Sequence, residues 1–324
     1  MRRVFESFPL SFRFVFIVPL IVVGYVVGMI VGLLGCLAYG YGPQEALELM
    51  SNFQSSSDVG VLRILQTCFQ LGGFLLPALF FAWMFGKTAV SKYMNRLPKS
   101  TWMLVPLITI LSLPIMEVLI NFNERLIPAD SSWGTALREQ EALAEQLMSQ
   151  LLSMESPAEL ILMLFIAAVV PALAEEFLFR GLIQNQLSKW TKNVHLGIWL
   201  SAILFSAIHM QFLGFLPRLA LGALFGYLVI HTGSIWTGVL AHFLHNGVSV
   251  LGLYYIQHNP DITEADIEQV GTQPLQLVFI LVALGILGGI FMKKSEWPKW
   301  KADNLANPEK PLTMPEQKSD HQGS

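Results

Sequence analysis

The residues with the clearest potential for chemistry lie in the segment ALAEEFLFRGLIQ, residues 172–184. Two adjacent carboxylates, Glu175 and Glu176, and the guanidinium of Arg180 interrupt an otherwise apolar run. Glu176 and Arg180 are four residues apart, so they share one face of a helix and can pair. Glu175 lies about 100° away round the same helix and has no such partner. Ionisable groups at membrane depth are costly and indicate a functional site, although a Glu–Arg pair could also serve only to lock two helices together.

Composition places this segment in a membrane protein. Of the 324 residues, 53% are hydrophobic and 13% are charged, whereas soluble domains average about 25% charged residues. Spanning a bilayer takes roughly 20 apolar residues. Eight apolar runs approach or exceed that length, at residues 14–39, 63–86, 101–121, 158–187, 195–213, 217–231, 235–255 and 275–292, with the sixth the short one. The sequence therefore predicts an all-α, polytopic membrane helix bundle with about eight transmembrane helices.

Charge along the chain predicts its orientation. Basic residues collect in alternate connections: Arg2, Arg3 and Arg13; Lys87, Lys92, Arg96 and Lys99; Lys189 and Lys192; Lys293, Lys294, Lys299 and Lys301. The positive-inside rule then puts both termini in the cytoplasm. Residues 131–155 have the pattern of an amphipathic surface helix, residues 256–301 hold an acidic loop and the last span, and residues 302–324 have the composition of a disordered tail. The two cysteines, Cys36 and Cys68, form no metal-binding or disulfide pattern.

Three more polar clusters follow the glutamates, each with its members four residues apart on a predicted helix. They are Phe205 with His209, Arg218 with Gly222 and Gly226, and His242 with Asn246. A histidine in an apolar helix can also be a hydrogen-bonded core residue. Helix length favours a common site, because Glu175 lies 17 residues before the predicted turn at Lys192 and His209 lies 17 residues after it. At equal rise per residue the two side chains come out level.

This set of motifs resembles the CPBP family of intramembrane proteases, also called Abi, which includes CAAX proteases and bacteriocin-processing enzymes. The family motifs are EExxxR, FxxxH, an arginine followed by glycines, and HxxxN or HxxxD. All are present in order within residues 157–255, which the resemblance marks as a four-helix catalytic core. Residues 1–156 then supply N-terminal transmembrane helices and the amphipathic helix. Those outer helices resemble the family only as generic membrane spans.

The resemblance implies an endopeptidase and a role for each motif residue. Glu175 would be the general base that activates a water, and His209 would hold that water. His242 and Asn246 would form the oxyanion hole, in which a neutral histidine N–H and an amide are suitable donors. Glu176 with Arg180 would hold the motif helix in place, Phe205 would orient His209, and Arg218 would give structural support. No cofactor is required in this scheme.

Other interpretations stay open at this point. Glu175, His209 and His242 are also a possible zinc ligand set, although the chain has no HExxH motif. Intramembrane Glu, Arg and His could instead form the ion pathway of a proton- or ion-coupled transporter. The chain could also be a catalytically inactive immunity or scaffold protein that binds a membrane peptide. For a protease, the expected partners are the lipid bilayer and a membrane-embedded or lipidated peptide substrate, prenylated CAAX substrates included, with no nucleic acid.

Overall fold

A computed structural model describes residues 10–51, 58–85, 101–263 and 272–293, and these form eleven longer helices, a 3₁₀ helix at Phe212–Gly214 and no β-strand. The protein is therefore all-α. The helices are α1 Leu10–Val15, α2 Ile17–Tyr39, α3 Pro43–Ser51, α4 Val59–Phe85, α5 Thr101–Arg125, α6 Ser132–Leu151, α7 Pro157–Thr191, α8 Val194–Ala207, α9 Phe215–Thr232, α10 Ile235–His258 and α11 Pro274–Lys293. Helix α4 contains a π-helical segment at Leu71–Leu75, and α7 contains two, at Leu164–Val169 and Phe177–Ile183.

Six of the described stretches are long and apolar enough to cross a membrane: Phe12–Tyr39, α4, α5, α7, Phe212–Thr232 and α10. Helix α8 and residues Pro274–Ile290 of α11 are shorter apolar helices. Each of the eight predicted runs thus forms a helix, and the chain is a polytopic membrane protein.

The sixth apolar run, residues 217–231, was predicted to form the short helix, and this prediction was wrong. The short helix comes from the fifth run, residues 195–213. Helix α8 has 14 residues and ends at Ala207, whereas the sixth run is extended to begin at Phe212. The chain turns away from α8 at Met210, whose backbone adopts the left-handed conformation with φ 57°. An apolar composition that continues through Ile208 and Phe212 hides this turn from a hydropathy profile.

The hairpin between α7 and α8 turns where the sequence predicted. Lys192 ends α7 in the left-handed conformation, with φ 52°. Asn193 then caps α8, because its side-chain oxygen accepts hydrogen bonds from the backbone N–H groups of His195 and Leu196. Gly233, with φ 64°, makes the next tight turn, between α9 and α10. These two turns return the chain twice and lay α7, α8, α9 and α10 beside one another.

The centre of the bundle is an apolar cluster from α2, α4, α7, α8, α9 and the start of α10, with Phe177, Phe179, Ile198 and Val229 among its buried members. Helix α5 packs against α9 and α10, and α11 packs against α5. The apolar faces of six helices thus meet round the part of α7 that follows the two glutamates.

Helices α2 and α4 cross at unusually close range. A Cβ on Gly24 would lie 2.2 Å from the backbone oxygen of Gly72, and a Cβ on Gly28 would lie 2.6 Å from that of Cys68. Only glycine permits such an approach of two backbones. The crossing therefore fixes the position of α4 at the start of its π-helical segment.

The stretch predicted as amphipathic, residues 131–155, forms α6 over Ser132–Leu151, with Ser131 as its N-cap. Helix α6 lies against the loop between α8 and α9. The basic residues at 87–99, the acidic residues at 264–268, and the tail at 302–324 lie outside the described residues, as do the ends of the chain. The predicted cytoplasmic location of both termini accordingly stays a prediction.

Candidate active site

Glu176 and Arg180 form the ion pair that their spacing predicted, with Arg180 Nη1 3.0 Å from Glu176 Oε1. Both side chains are buried, 0% and 1% exposed respectively. Arg180 Nη2 also donates to the backbone oxygen of Gly222 on α9 at 2.9 Å. The guanidinium is enclosed by the rings of Phe179, Phe205 and Phe225, at 6.0, 4.8 and 5.6 Å from their centroids. Arg180 thus ties α7 to α9 through the motif glycine.

His242 on α10 meets both glutamates. Its Nδ1 lies 3.0 Å from Glu176 Oε1, and its Nε2 lies 3.8 Å from Glu175 Oε2. Because an ionised carboxylate only accepts hydrogen bonds, Nδ1 donates to Glu176. The contact fixes the ring with Nε2 facing Glu175. The separation of 3.8 Å is too long for a direct hydrogen bond, and it is a distance at which a water can bridge two polar groups.

Glu175 is held from the opposite side by a residue that the sequence did not single out. Gln70, on α4, donates from Nε2 to Glu175 Oε1 at 2.5 Å. The side chain of Glu175 is buried, with 6% of the residue exposed. Its two oxygens are therefore differentiated: Oε1 is bound by Gln70, and Oε2 faces His242. The sequence signal was a glutamine within a predicted span, which costs more than an apolar residue there.

His209 lies in the turn that follows α8, because α8 ends two residues earlier. The prediction that it lies on a helix over residues 195–213 was therefore wrong. The Nδ1 of His209 is 2.7 Å from the backbone oxygen of Phe205. The Phe205 ring stands edge-on between the two histidines, with its centroid 5.2 Å from that of His209 and 6.1 Å from that of His242. His209 itself is half-buried. Contacts thus join His242 to Glu175, to Glu176 and to the Phe205 ring, and they join His209 to Phe205.

Asn246 lies one turn beyond His242 on the same helix. Its Nδ2 donates to the backbone oxygen of Ala167 at 3.1 Å, within the first π-helical segment of α7. The Asn246 amide is thus bonded to the backbone of α7 and not to either glutamate. An amide NH₂ group carries two N–H donors, and Ala167 takes one of them.

Arg218 stands apart from the glutamates and holds the loop that carries His209. It donates to the backbone oxygen of Gln211, and Gln211 in turn donates from its side chain to Glu141 Oε1 on α6 at 3.0 Å. Asn123 of α5 closes the same loop, donating to the backbone oxygens of Phe212 and Leu213 at 2.8 and 2.7 Å and accepting from the Leu216 N–H at 3.0 Å. Sequence reasoning missed Asn123 because its partners are backbone groups distant in the chain.

Two residues of the amphipathic helix take part in this loop network: Glu141, and Gln140, which donates from Nε2 to the backbone oxygen of Met210 at 3.0 Å. Burial raises the pKa of the Glu141 carboxyl above the ordinary value of 4.5, against the opposing effect of the Arg218 charge. Its Oε2 is buried and has no hydrogen-bond partner among residues 10–51, 58–85, 101–263 and 272–293. The polar face of α6 is therefore partly a packed interface with the loop.

The remaining histidines of the predicted spans lie elsewhere. His195 Nδ1 is 2.9 Å from the hydroxyl of Tyr227, and the His231 ring stacks on the same tyrosine with centroids 6.3 Å apart. His245 precedes Asn246, and its Nδ1 is buried with no hydrogen-bond partner in the part of the chain that the structure describes. No contact joins these three rings to Glu175 or Glu176 among the described residues.

A metal centre was the open alternative for this site. Within residues 10–51, 58–85, 101–263 and 272–293, no three His, Cys, Asp or Glu side chains are arranged to hold a metal ion. Glu175 and His242 approach each other, and the Nδ1 atoms of His242 and His209 are engaged by Glu176 and by the Phe205 carbonyl. That arrangement leaves the Nε2 atom of each ring as its possible metal ligand, so zinc binding by Glu175, His209 and His242 stays an alternative to be tested.

Comparison with known proteins adds the family. Residues 157–248 match a family model described as type II CAAX prenyl endopeptidase Rce1-like, which confirms the family resemblance drawn from the motifs. Two proteins of Bacillus subtilis (strain 168) are similar. "Uncharacterized protein YpbD" is 32% identical over 81 residues, 24% of this chain and 38% of that protein. "Putative membrane peptidase YdiL" is 29% identical over 131 residues, 40% of this chain and 47% of that protein. The matches thus span less than half of each relative, and no solved structure matches the chain.

Proposed function

We propose that this chain is an intramembrane endopeptidase that hydrolyses a peptide bond of a membrane-associated substrate, because residues 157–248 match a family model described as type II CAAX prenyl endopeptidase Rce1-like. One observation carries the proposal. A buried carboxylate, Glu175, directs its free oxygen at a histidine nitrogen 3.8 Å away, and the same histidine is oriented by a second carboxylate, Glu176. A base, a polar partner and an orienting group are the parts that general-base hydrolysis needs.

Glu175 is the general base in this proposal. Its Oε2 takes a proton from a water bound beside the carboxylate as the water oxygen attacks the scissile carbonyl. The tetrahedral intermediate then collapses, and the proton passes from Glu175 to the leaving amine nitrogen. General-base catalysis by a positioned group contributes about 10²–10⁴-fold to a rate. The apolar surroundings of the carboxylate keep other water away from the reacting groups.

His209 is proposed to hold the attacking water. Its Nδ1 donates to the Phe205 carbonyl, because a backbone oxygen only accepts. The neutral ring therefore offers Nε2 as an acceptor for one hydrogen of the water. The Phe205 ring, in edge contact with both histidines, sets the angle between them. His209 lies in a loop, so its position depends on the network of Asn123 and Arg218 that fixes that loop.

The oxyanion hole is proposed to consist of His242 and Asn246, with one change from the sequence-based scheme. A neutral His242 whose Nδ1 donates to Glu176 has no hydrogen on Nε2, so Nε2 donates to an oxyanion only in the imidazolium form. Asn246 supplies a second donor through the N–H that Ala167 leaves free. Loss of one such donor costs about 10²–10³-fold in kcat.

No metal takes part in the proposed reaction, and the substrate class follows from the family alone: a membrane-embedded or lipidated peptide. The test is proteolysis by the purified protein in detergent, against a panel of prenylated and unmodified membrane peptides. Glu175→Gln keeps the size of the side chain and removes the base, so we expect cleavage to fall at least about 10²-fold. Glu139→Gln, an exposed glutamate on α6, is the matched control and keeps full activity.

A strong chelator in the same assay separates the two chemistries. Activity that survives chelation and requires Glu175 supports the glutamate-activated water. Activity that chelation abolishes and zinc restores would replace it with a metal mechanism. A Glu175→Gln protein that cleaves at the wild-type rate would refute the proposal, and a folded wild type that cleaves no peptide in the panel would favour the scaffold interpretation.

A further inference from the structure

We infer that Gln70 is a positioning residue of the active site, holding the Glu175 carboxylate in its reactive orientation. The inference rests on the proposed function of Glu175. Gln70 lies on α4, outside the segment that matches the family model. Its amide donates to Glu175 Oε1 at 2.5 Å, and both residues are buried, at 7% and 6% exposed. The N-terminal helices, which resemble the family only as generic spans, therefore complete the site.

Helix α4 is fixed at the point where Gln70 contacts Glu175. Cys68 and Gly72 meet α2 at the close crossing with Gly24 and Gly28, where an added Cβ would lie 2.2 to 2.6 Å from backbone oxygens. Gln70 is two residues from both Cys68 and Gly72, so it lies about 200° round the helix, on the opposite face. Contact with α2 on one face thus holds the Gln70 amide against α7 on the other.

The hydrogen bond decides which carboxylate oxygen can react. The terminal torsion of a glutamate has a broad, roughly two-fold preference and little intrinsic orientation. With Oε1 bound to the Gln70 N–H, Oε2 is the oxygen left facing His242 Nε2 at 3.8 Å. Without that donor, the carboxylate is free to rotate away from the water site. A misplacement of about 1 Å at a reacting group costs about 10²-fold in rate.

Gln70→Met tests the inference, because methionine has a similar length and no N–H donor. Gln70 acts through Glu175, so we expect kcat to fall by about 10- to 100-fold with KM unchanged. Gln66→Met is the matched control: Gln66 lies one turn earlier on the same helix and is exposed, so it keeps the wild-type kcat. A fall in the unfolding midpoint without a change in kcat would show a purely structural role and overturn the inference.

A second readout does not depend on turnover. Infrared difference spectra between wild type and Glu175→Gln isolate the carboxylate bands of Glu175. We expect Gln70→Met to shift those bands, because a strong hydrogen bond to one oxygen is lost, and Gln66→Met to leave them in place. Unshifted bands would refute the contact itself. Shifted bands in a protein that cleaves nothing would refute the proposed function while the orienting contact stands.

Discussion

Replacement of Arg180 is the most demanding test of the geometry round the glutamates. Arg180→Met removes the guanidinium and keeps an unbranched side chain among Phe179, Phe205 and Phe225. Glu176, which is 0% exposed, then keeps His242 Nδ1 as its remaining polar partner, and the Gly222 carbonyl loses the donor that Arg180 supplied. Breaking a buried ion pair by removing one partner costs about 3–5 kcal/mol. We expect a loss of stability of that size for Arg180→Met.

The double variant Glu176→Gln/Arg180→Met separates the charge effect from packing. It removes both buried charges, and replacement of a whole buried pair is often neutral. We therefore expect the double variant to recover at least half of the stability lost by Arg180→Met, which is at least about 1.5–2.5 kcal/mol. Arg125→Met, at an exposed arginine of α5, is the control and stays within about 0.5 kcal/mol of wild type.

Equilibrium unfolding of the detergent-solubilised protein by sodium dodecyl sulfate, followed by tryptophan fluorescence, measures each free energy of unfolding. Two results would refute the reasoning. The first is an Arg180→Met protein within about 1 kcal/mol of wild type, which would mean that Glu176 is not buried beside it. The second is a double variant no more stable than the single one, which would assign the loss to packing against the phenylalanines.

Two further predictions concern the loop that carries His209. Asn123→Leu removes three hydrogen bonds to that loop, so we expect the free energy of unfolding to fall by about 1–3 kcal/mol. We also expect kcat to fall, and the unfolding and proteolysis assays described above measure the two effects. Full activity would contradict the positioning of His209 by this loop. Burial raises the pKa of Glu141 above 4.5. Between pH 4.5 and the raised pKa, the folded protein therefore holds a proton that the unfolded chain has released. The free energy of unfolding thus falls as pH rises through this range. Glu141→Gln removes this pH dependence, and unfolding midpoints of wild type and variant between acidic and neutral pH will detect the difference. If the two proteins showed the same pH dependence, Glu141 would not be buried against the loop.

Much of this architecture was predictable from single residues and their spacing. Apolar runs located the six described stretches long enough to cross a membrane and the two shorter apolar helices, because burial in lipid demands apolar helices whatever their packing. The i,i+4 spacing gave the ion pair of Glu176 with Arg180. The hairpin at Lys192 followed from turn residues. The motifs placed Glu175 and His242 in one site before any contact between α7 and α10 was known.

Other features depend on contacts that a linear pattern does not carry. The end of α8 follows from the backbone of Met210 and from Asn123 on another helix, neither of which alters hydropathy. Gln70 has no partner on its own helix, so spacing rules that find i,i+4 pairs pass over it. The π-helical segments of α7 shift the side chains after Leu164 and Phe177 relative to an ideal helix, and apolar sequence gives no sign of them. The tautomer of His242 followed only from its contact with Glu176.

The brevity of α8 has a consequence for the membrane itself. Its 14 residues rise about 21 Å, whereas a typical hydrocarbon core is about 30 Å thick. The outward side chains Leu196, Trp199, Leu200, Ile203 and Leu204 are exposed and face lipid tails that must shorten to match them. A helix shorter than the core draws the bilayer thinner beside it. Headgroups and their hydration thus come closer to the ends of α8, so under the proposed function the acyl-chain length of the surrounding lipid affects how far a substrate peptide bond lies from water.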